Sequence, residues 1–221
     1  GLRSVLHLAD FDAQKSTWTD TTFGKVYTGA SVYHQSYGVC MNANEPLFSG
    51  FNFNTDDFTV YIITTAKDYY ATWSHYLVGS SDGKDNWSFM HSNQWRELSN
   101  GNSSSSNMDI FSTCHGTITD HSGSPYLSCI RYNHANGCVT CESAGIKLPY
   151  YYQSIKTDPK PSDWSMRVEC NCNRTSGTPS DFTSSWVKSY IKFVAAATAY
   201  HSDSEVEKNL AWIRSNYHVV N

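Results

Sequence analysis

The chain has 221 residues, of which 39% are hydrophobic, 14% aromatic and only 16% charged, and its net charge is -4. That length suits one β-rich domain with a sizeable core, and the charge leaves no basic field for a phosphate backbone, which argues against nucleic-acid binding. The longest apolar runs, near Val60 to Thr65 and Phe193 to Ala199, are too short to cross a bilayer, so no membrane insertion is expected.

Strand patterns recur at short intervals. In chain order they are Val5 to Ala9, Val26 to Tyr33, Val39 to Asn42, Phe58 to Ala66, His75 to Val78, Trp87 to His91, Met108 to Thr113, Leu127 to Tyr132, Cys138 to Glu142, Met166 to Asn173 and Trp186 to Ala199. Turn signals stand between them at Asp82-Gly83, Ser122-Gly123, Asn136-Gly137 and Ala144-Gly145. Asn136-Gly137 reads as a tight hairpin turn, because a type I′ turn needs positive φ at both central residues. The serine-rich stretch Gly101 to Asn107 and the segment Pro149 to Pro161 read as long connections. There are no internal repeats and no domain linker, so residues 1–221 are expected to form one domain. No secretory or lipidation signal is read at Gly1, and the lack of an initiator Met suggests a processed product or an excised domain.

The C-terminal segment is the most informative. Val187, Ile191, Phe193, Ala195 and Ala197 alternate with Lys188, Tyr190 and Lys192, the period-two pattern of a half-buried strand. A helix follows at once. Ser202 with Glu205 three residues later forms a capping box, Asp203, Glu205 and Glu207 crowd the first turns, and Arg214 lies near the end. Val206, Leu210, Ile213 and Tyr217 share one helical stripe.

This ending, Phe182 with Trp186 to Ala199 followed by Tyr200-His201-Ser202-Asp203-Ser204-Glu205-Val206-Glu207-Lys208-Asn209-Leu210, resembles the closing strand and capped helix of the concanavalin A-like, laminin G-like jelly rolls. Ser4 to Asp12 resembles the first strand of that family, and Asp57 to Thr65 its central strand. Where the family carries Tyr-Asn-Arg-Ala-Leu, this chain reads Ala197-Thr198-Ala199-Tyr200-His201. The resemblance spans essentially the whole chain. It implies an all-β, two-sheet antiparallel jelly-roll sandwich with a short C-terminal helix.

Seven cysteines admit three readings. Cys138-Val139-Thr140-Cys141 and Cys170-Asn171-Cys172 look like halves of a zinc site. Met166, Val168, Cys170 and Cys172, however, alternate with polar neighbours, so buried free thiols lead, disulfides come second and zinc third.

Glucanases share the fold that the resemblance implies, and a retaining enzyme needs two carboxylates about 5 Å apart. Here Glu45, Glu97, Glu142 and Glu169 are isolated from one another, while Glu205 and Glu207 belong to the helix. A non-catalytic module is therefore expected.

Sugar sites combine exposed aromatic planes with short polar groups on loops. The candidate ligand-binding residues are Trp73, Trp95, Tyr150, Tyr151 and Tyr152, with Tyr69 and Tyr70 beside them. No cofactor is expected. Calcium would call on Asp10, Asp12, Asn54, Asp56 and Asp57, but these form no ordered ligand loop, and no metal is assigned. The reading is a carbohydrate-binding or surface-attachment module whose partner is a glycan or cell-surface polysaccharide, or another virion or surface protein. Its expected setting is a virion surface (phage tail, fibre or capsid decoration) or a bacterial cell surface. The alternatives are a structural oligomerisation module and a glycoside hydrolase of the same fold.

Overall fold

In the computed structural model the described residues are 2–44, 47, 57–66, 75–81, 84–91, 96–100, 125–133, 135, 138–143, 153–156, 164–168, 189–217 and 219. Along them run β1 (Leu2–Asp12), β2 (Thr17–Asp20), β3 (Lys25–His34), β4 (Gly38–Ala43), β5 (Phe58–Ala66), β6 (His75–Ser81) and β7 (Lys84–His91). There follow β8 (Arg96–Asn100), β9 (Pro125–Asn133), β10 (Cys138–Ser143), β11 (Gln153–Lys156), β12 (Trp164–Val168), β13 (Ser189–Ala197) and the helix α1 (Asp203–Asn216). All pairings are antiparallel. One sheet has the order β1-β2-β3-β4-β13-β5-β9-β10-β11, with β1 also paired to β13, and a second has the order β12-β6-β7-β8.

The extra β1–β13 pairing closes β1, β2, β3, β4 and β13 into a ring, so the large sheet curls into a barrel-like jelly roll with one C-terminal helix. Closure removes edges that would otherwise invite pairing with another chain. β13 achieves it by dividing one of its edges: Phe193 to Ala197 pair with β1, and Ile191 pairs with Val39 of β4. Its other edge runs along β5 from Ser189↔Ala66 to Ala197↔Thr59.

The register along β5 shifts between Ile191 and Phe193, which leaves Lys192 as the extra residue of a bulge. Ile191 therefore faces with Thr64, and Phe193 with Ile63. This corrects the expected alternation, which placed Ile191 and Phe193 on one face. It also corrects the expectation of a half-buried strand, since Phe193 to Ala197 are all buried. Val194 and Ala196 enter a core with Leu6, Trp18, Tyr27, Val60, Ile62 and Ile130, while Phe193 and Ala195 enter a second core beneath α1. A strand covered on both sides carries apolar residues in both parities.

The second core is built by the helix. Val206, Leu210, Ile213 and Tyr217 pack on Tyr61, Ile63, Leu127, Cys129, Phe193 and Ala195. A helix of this length is marginal alone, so this stripe holds it in place. Its start is as the sequence suggests: the Ser202 side chain accepts from the Glu205 N–H at 3.4 Å, and the Ser202 N–H donates to Glu205 Oε2 at 2.8 Å. Ser202→Ala is expected to cost about 1 kcal/mol, read from the urea midpoint. A shift of only a few tenths would mean that tertiary contacts alone fix the helix start.

Several boundaries differ from expectation. β2, β8 and β11 lack a sequence prediction, and β11 lies inside the segment Pro149 to Pro161 that reads as a connection. The β9–β10 hairpin exists, but Asn133 pairs with Cys138, so its connection is residues 134–137 and not a two-residue Asn136-Gly137 turn. There the Ala135 N–H donates to Asn133 Oδ1 at 3.0 Å, an Asx turn. Asp82-Gly83 does stand between the paired Ser81 and Lys84 of β6 and β7. Met108 to Thr113, and Met166 to Asn173 beyond Val168, lie outside the described residues.

Candidate functional site

The residues singled out from the sequence, Trp73, Trp95, Tyr150, Tyr151 and Tyr152, lie outside the described residues, as do Tyr69 and Tyr70. Another aromatic surface stands within them, at the end of the β3–β4 hairpin. The turn after β3 is closed by Tyr37 N–H to the His34 carbonyl at 3.2 Å and by Ser36 N–H to His34 Nδ1 at 3.2 Å. These bonds lay the exposed His34 ring flat against Tyr37, with centroids 3.9 Å apart and planes 13° from parallel. Tyr37 leans in turn on the buried Tyr190 ring at 5.5 Å.

A second stack stands one residue back on β3. Tyr33 is 46% exposed and stacks on Phe11 at 5.9 Å, and Phe11 meets the buried Trp18 edge-on at 6.0 Å. Trp18 is itself anchored by its Nε1–H to the His7 carbonyl at 2.8 Å. Each exposed ring is thus backed by a half-buried one that itself rests on a buried ring, which fixes its plane before any ligand arrives. Preorganised rings lose little entropy on binding.

Lys192, the bulged residue of β13, borders the same turn. It is half-buried, and its ammonium reaches the Ser36 carbonyl at 3.5 Å. Burial lowers its pKa from the ordinary lysine value. Sequence reasoning passed over this surface because Tyr33, His34 and Tyr37 sit at a hairpin end and in no aromatic run. The usable signal was Tyr33-His34-Gln35-Ser36-Tyr37-Gly38, three rings bracketing two polar residues ahead of a glycine.

A polar cluster of another kind joins the start of α1 to the sheet. Arg131 of β9 is buried, and its Nη1 donates to the His201 carbonyl and to Asp203 Oδ1, both at 2.8 Å. Its guanidinium lies 4.9 Å from the Tyr200 ring centroid. Asn209 Nδ2 donates to the Tyr61 hydroxyl at 2.9 Å, so that hydroxyl donates onward to His201 Nδ1 at 2.8 Å. Thr59 Oγ1 receives the His201 N–H at 3.0 Å and donates to the Ala199 carbonyl at 2.7 Å. The arrangement ties the start of the helix to β5 and β9 and works as a latch.

The latch makes stability depend on pH. Desolvation pushes the His201 pKa below 6.5, outweighing the opposing pull of Glu205, while Arg131 lowers it further. Protonation at Nδ1 would also remove the acceptor that Tyr61 uses, and burial holds the Tyr61 hydroxyl protonated by raising its pKa. The unfolded chain therefore binds the proton first, and stability falls as pH drops below 6.5 toward the lower folded value. Urea titrations at pH 7.5 and 5.5 are expected to show this loss. In His201→Gln the His201 share of it should vanish, and an unchanged pH slope would refute the assignment.

Asp12 and Glu205 serve as turn and cap acceptors. Asp12 Oδ1 takes the N–H groups of Gln14 and Lys15, each at 3.0 Å, and Glu205 serves the cap. Among the described residues no group of three or more His, Cys, Asp or Glu is placed to hold a metal. Cys40 and Cys129 are buried, Cys138 and Cys141 lie on β10, and Cys114, Cys170 and Cys172 lie outside the described residues. No described helix is long and apolar enough to cross a membrane.

No protein-family model matches the chain, and no curated protein matches it in sequence. Solved structures share its fold. A Trypanosoma rangeli sialidase in complex with 2,3-difluoro-KDN matches with a TM-score of 0.61 at 15% identity, over 100% of this chain and 34% of that one. Trypanosoma rangeli sialidase alone gives 0.58 at 14% identity with the same coverage. The binding domain of botulinum neurotoxin DC in complex with SialylT gives 0.55 at 13% identity, over 96% of this chain and 51% of that one. The chain spans a third of the sialidase chains and half of the toxin domain. It shares with them an all-β sandwich, and no particular family follows from the likeness.

Proposed function

We propose that residues 1–221 form a single, non-catalytic concanavalin A-like module that attaches its owner to a glycan or cell-surface polysaccharide. The observation that carries this reading is the pair of backed aromatic planes at the β3–β4 end, Tyr33 on Phe11 and His34 on Tyr37. A pyranose offers an apolar face rimmed by hydroxyls, and an exposed ring beside Ser36 and Gln35 is complementary to it. The likeness to a sialidase and to a toxin's binding domain, solved with difluoro-KDN and SialylT respectively, adds support at the level of the fold. Trp73, Trp95 and Tyr150 to Tyr152 are proposed as further contacts. The setting we favour is a virion surface, as a tail, fibre or capsid-decorating module, with a bacterial surface protein next.

A glycan array probed with the purified chain tests the reading. Retention on a defined subset is expected. Tyr33→Ala should weaken it about tenfold, ~1.4 kcal/mol, with an unchanged circular dichroism spectrum, and Trp95→Ala and Tyr151→Ala test the loop candidates. Silence across the array, together with concentration-dependent self-association, would instead support a structural assembly module.

A further inference from the structure

We infer that the surface formed by the β3–β4 turn and the bulge of β13 takes a carboxylate-bearing sugar, with the Lys192 ammonium as counter-charge and the His34 ring as platform. This assignment rests on the glycan-binding reading above and names its ligand class.

The bulge is the first ground. Lys192 is the residue left over when Ile191 pairs with Thr64 and Phe193 with Ile63, and bulges recur where a strand must re-aim a side chain. Here the re-aimed group is a cation in a strand otherwise buried on both sides. Its ammonium is partly withdrawn from water, yet among the described residues the partner it has is a carbonyl at 3.5 Å, the outer limit of a hydrogen bond. Among the described residues no carboxylate lies within ion-pair distance of it. A half-buried ammonium with so weak a partner is under-compensated, and an incoming carboxylate restores what burial removed.

The neighbouring ring is the second ground. His34 Nδ1 accepts the Ser36 N–H, so the neutral imidazole carries its proton on Nε2 and offers a donor at the opposite edge. One face of that ring is covered by Tyr37 at 3.9 Å, and the residue as a whole is exposed. An open ring face, one N–H donor and one ammonium answer the three features of an acidic pyranose: its apolar face, a hydroxyl and its carboxylate. A phosphate is usually cradled by several N–H donors or by a forked guanidinium, whereas a single ammonium matches a singly charged group.

Calorimetric titration of the full chain with oligosaccharides ending in sialic or glucuronic acid, and with matched oligosaccharides ending in a neutral hexose, tests the inference. The acidic ligands should bind at least tenfold tighter at low ionic strength, with the margin shrinking as salt rises. Lys192→Met should abolish the margin, Lys192→Arg should keep most of it, and His34→Ala should weaken both ligand sets. Thermal melts of each variant establish that it is folded. Equal binding of acidic and neutral ligands overturns the inference, as does a margin that survives Lys192→Met or inorganic phosphate competing as well as the acidic sugar. If no oligosaccharide binds at all, the glycan reading itself fails; if they bind but ignore Lys192, this assignment alone fails.

Discussion

Gly38→Ala is expected to destabilise the fold by about 4 kcal/mol, combining backbone strain with overpacking. Gly38 opens β4 with φ +114, a region that side chains rarely adopt. A Cβ built there lands against the Ile191 carbonyl, 2.7 Å from its carbon and 3.0 Å from Lys192 Cα. These atoms are all backbone, so no rotamer change relieves them. Either β4 withdraws from β13, opening the ring at its Ile191↔Val39 contact, or the bulge at Lys192 moves. Urea unfolding gives the stability, and a loss below 1 kcal/mol would show that the junction is looser than described. Because Lys192 and the His34–Tyr37 stack flank the same junction, Gly38→Ala should also weaken the proposed glycan binding in whatever fraction remains folded.

Asp20→Ala should lower stability by about 3–5 kcal/mol, because it leaves several donors without an acceptor. Asp20 is buried at the end of β2, opposite Leu6. Its Oδ1 takes the N–H groups of Val5, Thr22 and Phe23 at 3.1, 3.1 and 2.8 Å, and its Oδ2 takes the Ser4 hydroxyl. One carboxylate thus satisfies the turn after β2 and the neighbouring stretch of β1, where the β1–β2 register shifts between Leu6 and Phe11. Asp20→Asn keeps one amide oxygen for the backbone donors while losing the charge and the acceptor for the Ser4 hydroxyl, so its cost should be about half. Hydrogen exchange at Val5, Thr22 and Phe23 should accelerate together in the alanine variant. Protection that persists at all three would mean that the strands hold those amides without the side chain.

Legibility in the sequence followed the range of the interactions involved. β5 spans Phe58–Ala66, the bounds its apolar run suggests, because a strand covered on both faces carries its signal at every position. The helix start was equally plain, since Ser202 and Glu205 satisfy each other within one turn. β2 was not, because Thr17–Asp20 offers one large apolar residue, Trp18, in four positions. β11 was masked by the tyrosines and prolines around it. The aromatic surface at Tyr33, His34 and Tyr37 was missed for a different reason: its exposure depends on which rings stand behind it, and Phe11 and Tyr190 come from strands distant in sequence.

The sequence by itself determined the all-β class, the bounds of the apolar strand β5 and the capped C-terminal helix, all consequences of side-chain period and of hydrogen bonds between near neighbours. Only the tertiary structure decided that β13 divides one edge between β1 and β4, that Lys192 bulges there, and that Gly38 must be a glycine. Each of these depends on backbones meeting across more than a hundred residues of chain, and local periodicity is blind to such meetings.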